Sequence, residues 1–369
     1  MCLVTYSWTE DQSRRKFDSF HQDHGIAWAH LQLTSFCNFS CHWCYSHETS
    51  FGRNISMGRR ELRSIIDKLM DCGVAQVTFG GGEPLLYEDL LHWVYFLSSR
   101  GIIVHINTNS YFLDEETVKK LADSGLNQIQ SNIESDIPGV HDSVRGKKGA
   151  FQRVLSAAEL SRRYGINFVS QTVVTRDNMD RLLDIVKFAR RNGIESCRFW
   201  DMTLSGRAIS TPERLPRRYL ETLESLSSEL RHLGVKRITS YDPLYPSRHD
   251  TSPKIEHYPC PSRLGMLMHV SVEGDVLYCC VDERSRLFNI HSVEDGSRLP
   301  SMYREKIAEF LGTHAPLPPG CAGCEQGAAC RGGCMGRRGI DSDVDYLCRR
   351  SDEKRGLPLS GRNIKEKVV

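Results

Sequence analysis

The feature that most limits how this chain can fold is a regular alternation of β-like and amphipathic helical runs from about Ala27 to Met202. Strand-like stretches fall at residues 27–33, 74–79, 102–107, 127–133, 167–174 and 194–200. Between them lie helical patterns. Leu62, Ile65, Ile66, Leu69 and Met70 form one apolar stripe ahead of Gly73, and Leu182, Leu183, Ile185, Val186 and Ala189 form another ahead of Gly193. Such alternation requires right-handed crossovers and a parallel sheet. Six units are too few to close an eight-stranded barrel, so the α/β pattern predicts an open, partial (β/α)6 TIM-type barrel.

From Pro212 the pattern changes. A helical run at 213–233 and a short β-like piece at 235–240 lead into a loop with Pro and Tyr at 241–261, and the remainder is rich in Cys and Gly. The expected organisation is an N-terminal extension (1–26), the barrel (27–210), a bridging region (211–259), a small Cys-rich α+β domain (260–348) and a basic tail (349–369). With 40% hydrophobic and 25% charged residues and a net charge of +2, nothing points to a nucleic-acid or membrane-surface partner. No apolar run is long enough to span a bilayer, and the charged N-terminus does not resemble a signal peptide, so a cytoplasmic location is expected.

Fourteen cysteines then need an explanation. In a reducing compartment, clustered cysteines more often bind metal than form disulfides. Cys37, Cys41 and Cys44 occur as C-x3-C-x2-C directly after the first strand. Three thiolates leave one iron of a four-iron cluster without a protein ligand, and a metal with an open position can take up a small molecule. A zinc site with His42 as fourth ligand is the simpler alternative. The glycine-rich Gly80-Gly81-Gly82-Glu83-Pro84 follows the second strand, Asn107-Thr108-Asn109 ends the third, and Asn132 to Glu134 ends the fourth. In folds of this type the loops after strand C-termini carry function, and all four motifs open onto that one rim.

These residues resemble the radical S-adenosylmethionine (SAM) superfamily. CNFSCHWCY is similar to its cluster-binding loop, and Gly81-Gly82-Glu83-Pro84 to its GGEP motif. The resemblance implies a SAM-binding [4Fe–4S] cluster on Cys37, Cys41 and Cys44, with Tyr45 beside the adenine and Gly81, Gly82 and Glu83 near the methionyl amino group. It further implies Asn132 and Glu134 at ribose-contacting positions, where Ser and Asp are usual. Arg145 is a candidate for the SAM carboxylate, against the plainer reading of a surface arginine paired with Asp142. Asn109 falls on a Thr-Asn-Gly rim motif, with Ser110 replacing the glycine.

The C-terminal third resembles the SPASM extension of that superfamily. By this resemblance Cys321, Cys324, Cys330 and Cys348 hold an outer auxiliary [4Fe–4S] cluster. Cys260, Cys279 and Cys334 hold an inner one whose fourth ligand is unassigned; a zinc ribbon is the alternative. Cys280 can ligate, pack, or donate hydrogen to a substrate radical, the last being its candidate catalytic role. The implied activity is reductive cleavage of SAM to a 5′-deoxyadenosyl radical and oxidative modification of a ribosomal peptide. The alternatives are oxidation or epimerisation of a small molecule such as a sugar or aminocyclitol, formylglycine formation of the sulfatase-maturing type, or a non-catalytic iron–sulfur sensor or zinc scaffold. The implied partners are a peptide or small-molecule substrate, an electron donor such as flavodoxin or ferredoxin, and a separate leader-peptide-binding protein.

Overall fold

The computed structural model describes residues 25–46, 52–210, 215–216, 218–230, 237–241, 255–258, 260–263, 265–282, 285–313, 316–324, 327–338 and 348. The predicted tail, 349–369, lies outside the described residues, as does all but the end of the predicted N-terminal extension.

Six strands follow the expected alternation: β1 (Trp28–Thr34), β2 (Gln76–Gly81), β3 (Ile103–Asn107), β4 (Gln128–Asn132), β5 (Asn167–Val174) and β6 (Ser196–Asp201). They are neighbours in chain order and all parallel, with Trp28 opposite Gln76 and Gln76 opposite Ile103. The helices between them are α1 (Arg59–Asp71), α2 (Leu90–Ser98), α3 (Glu115–Asp123), α4 (Pro138–Arg145), α5 (Ala150–Arg163) and α6 (Leu182–Arg191). Glu61 reaches back to the Gly58 amide at 2.8 Å and starts α1, whose Leu62, Ile65, Ile66 and Leu69 are buried. Each such side chain contributes about 1.5–3 kcal/mol by leaving water.

The strands divide their faces by period two. Ala29, Leu31, Leu33, Val77, Phe79, Val104, Ile106 and Ile129 are fully buried and pack with the helices in the main core. The alternate positions are polar: His30 and Gln32, Thr78, His105, Gln130, Gln171 and Arg198. The Arg198 guanidinium on β6 reaches the Gln130 side-chain carbonyl on β4, passing over β5, while Gln130 donates to Gln171 at 2.9 Å. The helices cover the apolar face, so the polar face is the inner one of a partial barrel.

The sheet extends beyond the six expected strands. Past α7 (Arg218–Leu230), β7 (Arg237–Tyr241) and β8 (Ile255–Tyr258) continue the parallel order beside β6. Strand β8 corrects the expectation that 241–261 is loop throughout; four residues, in which only Ile255 and Tyr258 are strongly strand-prone, give too short a periodic signal to read. On the other edge, β9 (Leu267–Val270) pairs in parallel with β1, and β10 (Asp275–Leu277) and β11 (Arg286–Asn289) follow antiparallel. Helices α8 (Leu299–Thr313), α9 (Gly327–Cys330) and α10 (Met335–Arg338) complete the described C-terminal segment. Among the described residues no helix is long and apolar enough to cross a membrane.

A buried pair ties this segment to the barrel. Arg337 in α10, 1% exposed, bonds to Asp201 at the end of β6, which also accepts from the Tyr219 hydroxyl of α7. At Gly336 a Cβ would stand 2.8 Å from Thr203 and 2.9 Å from Val281. Helix α10 is therefore wedged between the end of β6 and the turn that follows Cys280.

The buried imidazoles on the concave face make the fold acid-sensitive. Burial lowers His30 to about 4, and burial with the Arg198 charge lowers His105 to about 3. The unfolded chain takes up these protons near pH 6.5 and the folded chain only well below it. Stability is therefore fully present above about pH 6.5 and falls toward pH 4, by about 1.4 kcal/mol per pH unit for each histidine. Urea unfolding followed from pH 7.5 to 5 should show this loss, and His105→Gln should reduce its slope by about one proton's worth.

Candidate functional site

The cysteine loop leaves the C-terminal end of β1, and its backbone is held on every side. Gly82 donates to Thr34 O at 2.6 Å and Glu83 N to Phe36 O at 2.8 Å. A Cβ on Gly82 would lie 2.1 Å from Phe36 O, and one on Gly81, whose φ is +125°, 2.3 Å from Thr34 O. Only glycine lets β2 come this close to the loop. His42 N donates to Val144 O at 2.9 Å. Arg207, just past β6, clamps the far side, with its N–H on Cys44 O at 3.0 Å and its guanidinium on Cys41 O at 3.2 Å. Ser205 adds a bond to Tyr45 O at 3.0 Å.

None of these contacts uses a cysteine sulfur. All described cysteines are thiols, and Cys37, Cys41 and Cys44 are half-buried. Burial pushes Cys37 up to about 11, with the Glu83 charge and the other two thiols acting the same way. Burial also raises Cys41, while Arg145 and Arg207 oppose it. Thiols in this setting ionise readily only against a cation, so the donor set fits an iron–sulfur cluster. Among the described residues no three His, Cys, Asp or Glu side chains are grouped as the ligands of a single metal ion are. Ligands of a four-iron cluster bind separate irons and stand further apart.

The expected cofactor residues are brought to this rim. Glu83 is fully buried and accepts from Thr108 Oγ1 at 2.6 Å, Asn109 N at 2.8 Å and Leu85 N at 3.1 Å. It thus joins the ends of β2 and β3; burial raises its pKa and these three bonds oppose the rise. Asn109 donates to Asn38 Oδ1 at 2.7 Å and lies 3.9 Å from Cys37 Sγ, while its own Oδ1 accepts from Tyr111 N at 3.0 Å.

Asn132, Glu134 and Arg145 form a second group. Glu134 accepts from Asn132 at 2.8 Å, from Val173 N at 2.9 Å and from Arg145 at 3.4 Å. Burial raises Glu134, and Arg145 pulls it back most strongly. Arg145 is not a surface residue paired with Asp142. It is mostly buried against Glu134, 5.6 Å from the Phe39 ring, with the charges of Cys41 and Glu134 outweighing its desolvation. Asp142 instead accepts from Gly149 N and Phe151 N at the start of α5.

Three residues of this site were not singled out from the sequence: Ser205, Arg207 and His141. His141 accepts from Glu134 N at 3.2 Å and fixes the turn that presents the carboxylate. Ser205 and Arg207 follow the C-terminal end of β6, the same signal that marked the other rim loops.

The described C-terminal cysteines lie in two groups. Register places Cys279, two residues beyond Leu277, level with the start of β1, so this group and the Cys37 loop leave opposite ends of that strand. Cys260, Cys279, Cys280 and Cys334 lie within electrostatic reach of one another; burial, then Cys260, pushes Cys280 up to about 12. In the other neighbourhood, Cys324 N donates to Cys321 O at 3.0 Å, and burial, with a smaller contribution from Cys348, raises Cys330. Cys72 and Cys197, outside both groups, are pushed up to about 11 by burial in the core.

Residues 31–189 match the profile of the Radical SAM superfamily. The chain is 26% identical over 333 residues to a PqqA peptide cyclase of Xanthomonas axonopodis pv. citri, covering 87% of each. Its fold is similar to that of Streptococcus suis SuiB bound to precursor peptide SuiA, with a TM-score of 0.70 and 16% identity over 94% of this chain and 84% of that one. It is also similar to native anSMEcpe with bound AdoMet, with a TM-score of 0.67 and 20% identity over 88% and 95%.

Ser110 marks where this rim departs from the usual glycine. Its φ of +66° is left-handed and its buried hydroxyl has no hydrogen-bond partner. Such a conformation costs a side-chain-bearing residue about 1–2 kcal/mol. Ser110→Gly should therefore raise stability by about 1 kcal/mol in urea unfolding, and a loss of stability would contradict the strain.

Proposed function

Because the chain is a radical SAM enzyme, we propose that it oxidatively modifies a ribosomally made peptide at an unreactive C–H bond. The observation that carries this reading is the loop of Cys37, Cys41 and Cys44, fixed through its backbone at Phe36, Cys41, His42 and Cys44 beside the Gly82–Glu83 turn. When bound there, a [4Fe–4S] cluster and SAM supply the 5′-deoxyadenosyl radical that takes hydrogen from the substrate. The protein's own part is to position, to exclude water and to balance charge. Arg145 and Arg207 offset the negative thiolates. Asn132, Glu134 and Arg145 are assigned to the cofactor's ribose and carboxylate, Tyr45 to its adenine, and the Gly81-Gly82-Glu83 turn to its amino group.

The peptide substrate is supported by likeness across most of the chain to a PqqA peptide cyclase, and by a fold shared with SuiB, whose structure holds a precursor peptide. The polar concave face, with Gln130, Gln171 and Arg198, suits a substrate rich in amide groups. We assign an inner auxiliary cluster to Cys260, Cys279 and Cys334, and an outer one to Cys321, Cys324, Cys330 and Cys348. Clusters held by these residues would offer a place for the electron that a net two-electron oxidation leaves behind. Cys280 is read as a packed or ligating thiol in place of a hydrogen donor. The same reading keeps the barrel at 27–210, the bridge at 211–259 and the cluster-binding segment at 260–348, in a cytoplasmic enzyme.

The test is anaerobic incubation of the reconstituted protein with SAM, dithionite and a short peptide encoded beside its gene. The expected result is 5′-deoxyadenosine together with a peptide lacking two hydrogens, both lost in Cys37→Ala. 5′-Deoxyadenosine released while a sugar or aminocyclitol, and not the peptide, is consumed would overturn the peptide assignment.

A further inference from the structure

The chemistry proposed above consumes an electron that must enter near Cys37, Cys41 and Cys44. A hydrogen-bonded route to one of these sulfurs begins at Tyr111. Its N–H donates to Asn109 Oδ1 at 3.0 Å, and the Asn109 amide lies 3.9 Å from Cys37 Sγ. The Tyr111 ring also packs edge-on against Phe39, between Cys37 and Cys41 in the loop, with centroids 5.8 Å apart.

The surface around Tyr111 is basic and aromatic. Lys147 Nζ lies 4.8 Å and the Arg153 guanidinium 5.3 Å from its ring centroid, Lys148 is exposed beside Lys147, and Phe112, in contact with Tyr111, is 39% exposed. Among the described residues Lys147, Lys148 and Arg153 form no ion pair. The nearby carboxylates are mostly engaged elsewhere: Asp114 caps α3 through Thr117 N while within electrostatic reach of Arg153, Glu115 binds Arg163 and Tyr164, Glu116 binds Lys120, and Asp142 binds two amides of the α5 turn. Arg153 belongs to α5 and is exposed.

We propose that Tyr111, Phe112, Lys147, Lys148 and Arg153 form the docking surface for an acidic one-electron carrier protein, an inference that rests on the radical SAM reading above. An aromatic centre ringed by unpaired cations is complementary to a carrier whose acidic residues surround its redox group. In the step served, the carrier is oxidised by one electron and the cluster held by Cys37, Cys41 and Cys44 is reduced by one. The proximity of Tyr111 to Cys37 keeps the transfer short.

The test uses the reconstituted holoenzyme with an acidic bacterial flavodoxin, kept reduced by its NADPH-dependent reductase, and dithionite in parallel. In Lys147→Glu/Lys148→Glu/Arg153→Glu the Kd for flavodoxin by surface plasmon resonance, and its KM in 5′-deoxyadenosine release, should each rise about tenfold or more. Dithionite-driven release should stay within about twofold of the unaltered protein, since no docking is needed. Should the triple variant lose its dithionite activity, Lys147→Gln/Lys148→Gln decides, with a smaller rise in the same direction. The flavodoxin-driven rate of the unaltered protein should also fall between about 0.05 and 0.3 M salt while the dithionite rate holds. Unchanged flavodoxin Kd and KM in both variants, or a raised peptide KM with flavodoxin unaffected, would overturn the docking surface. An unaltered protein that releases no 5′-deoxyadenosine with dithionite would instead sink the radical SAM reading, and the flavodoxin Kd would still judge the surface.

Discussion

The cysteine loop is immobilised by its peptide groups, and much of the rim exists to do that. Thr34 and Phe36 carbonyls meet the Gly82–Glu83 turn of β2, Cys41 and Cys44 carbonyls meet Arg207 beyond β6, and His42 N meets the end of α4. Contacts from three separate elements thus converge on the backbone of this segment. A metal-binding loop held by its own ligands would have to be ordered by the metal. Here the order is built in beforehand, and it explains why two adjacent glycines pack against the loop with no space for a Cβ.

Charge is the second constraint. Glu83 and Glu134 are buried within the same rim as three thiols, an arrangement that repels itself unless positive charge is supplied. Arg145 answers Glu134 directly and offsets Cys41 from the same position, and Arg207 adds to it. Glu83 is held by three hydrogen-bond donors, with the Arg145 charge adding a weaker pull in the same direction. Two arginines thus stand against two buried carboxyls and three thiols on this rim.

How much of this was legible followed from periodicity. The six strands and the helices between them repeat an apolar pattern over enough residues to be read, and each rim motif could be placed because it followed a strand. Strand β8 could not, because four residues carry no usable period. The attachment of β9 beside β1 was equally hidden, since pairing between residues 28 and 267 leaves no local trace. Among site residues, Arg145 was found but its partner was not: Asp142 is nearer in sequence, while Glu134 becomes its neighbour only once α4 folds back over β4. Arg207 and Ser205 were passed over because a charged residue and a serine after a strand carry no motif of their own.

In the function proposed above, the three thiolates would leave one iron open to the amino and carboxylate groups of SAM. Electron–nuclear double resonance of the reduced, reconstituted protein with SAM labelled by nitrogen-15 at its amino group tests this directly. A resolved hyperfine coupling from the labelled nitrogen is the result predicted. A reduced cluster whose spectrum is indifferent to the label, in protein that has taken up SAM, would contradict it.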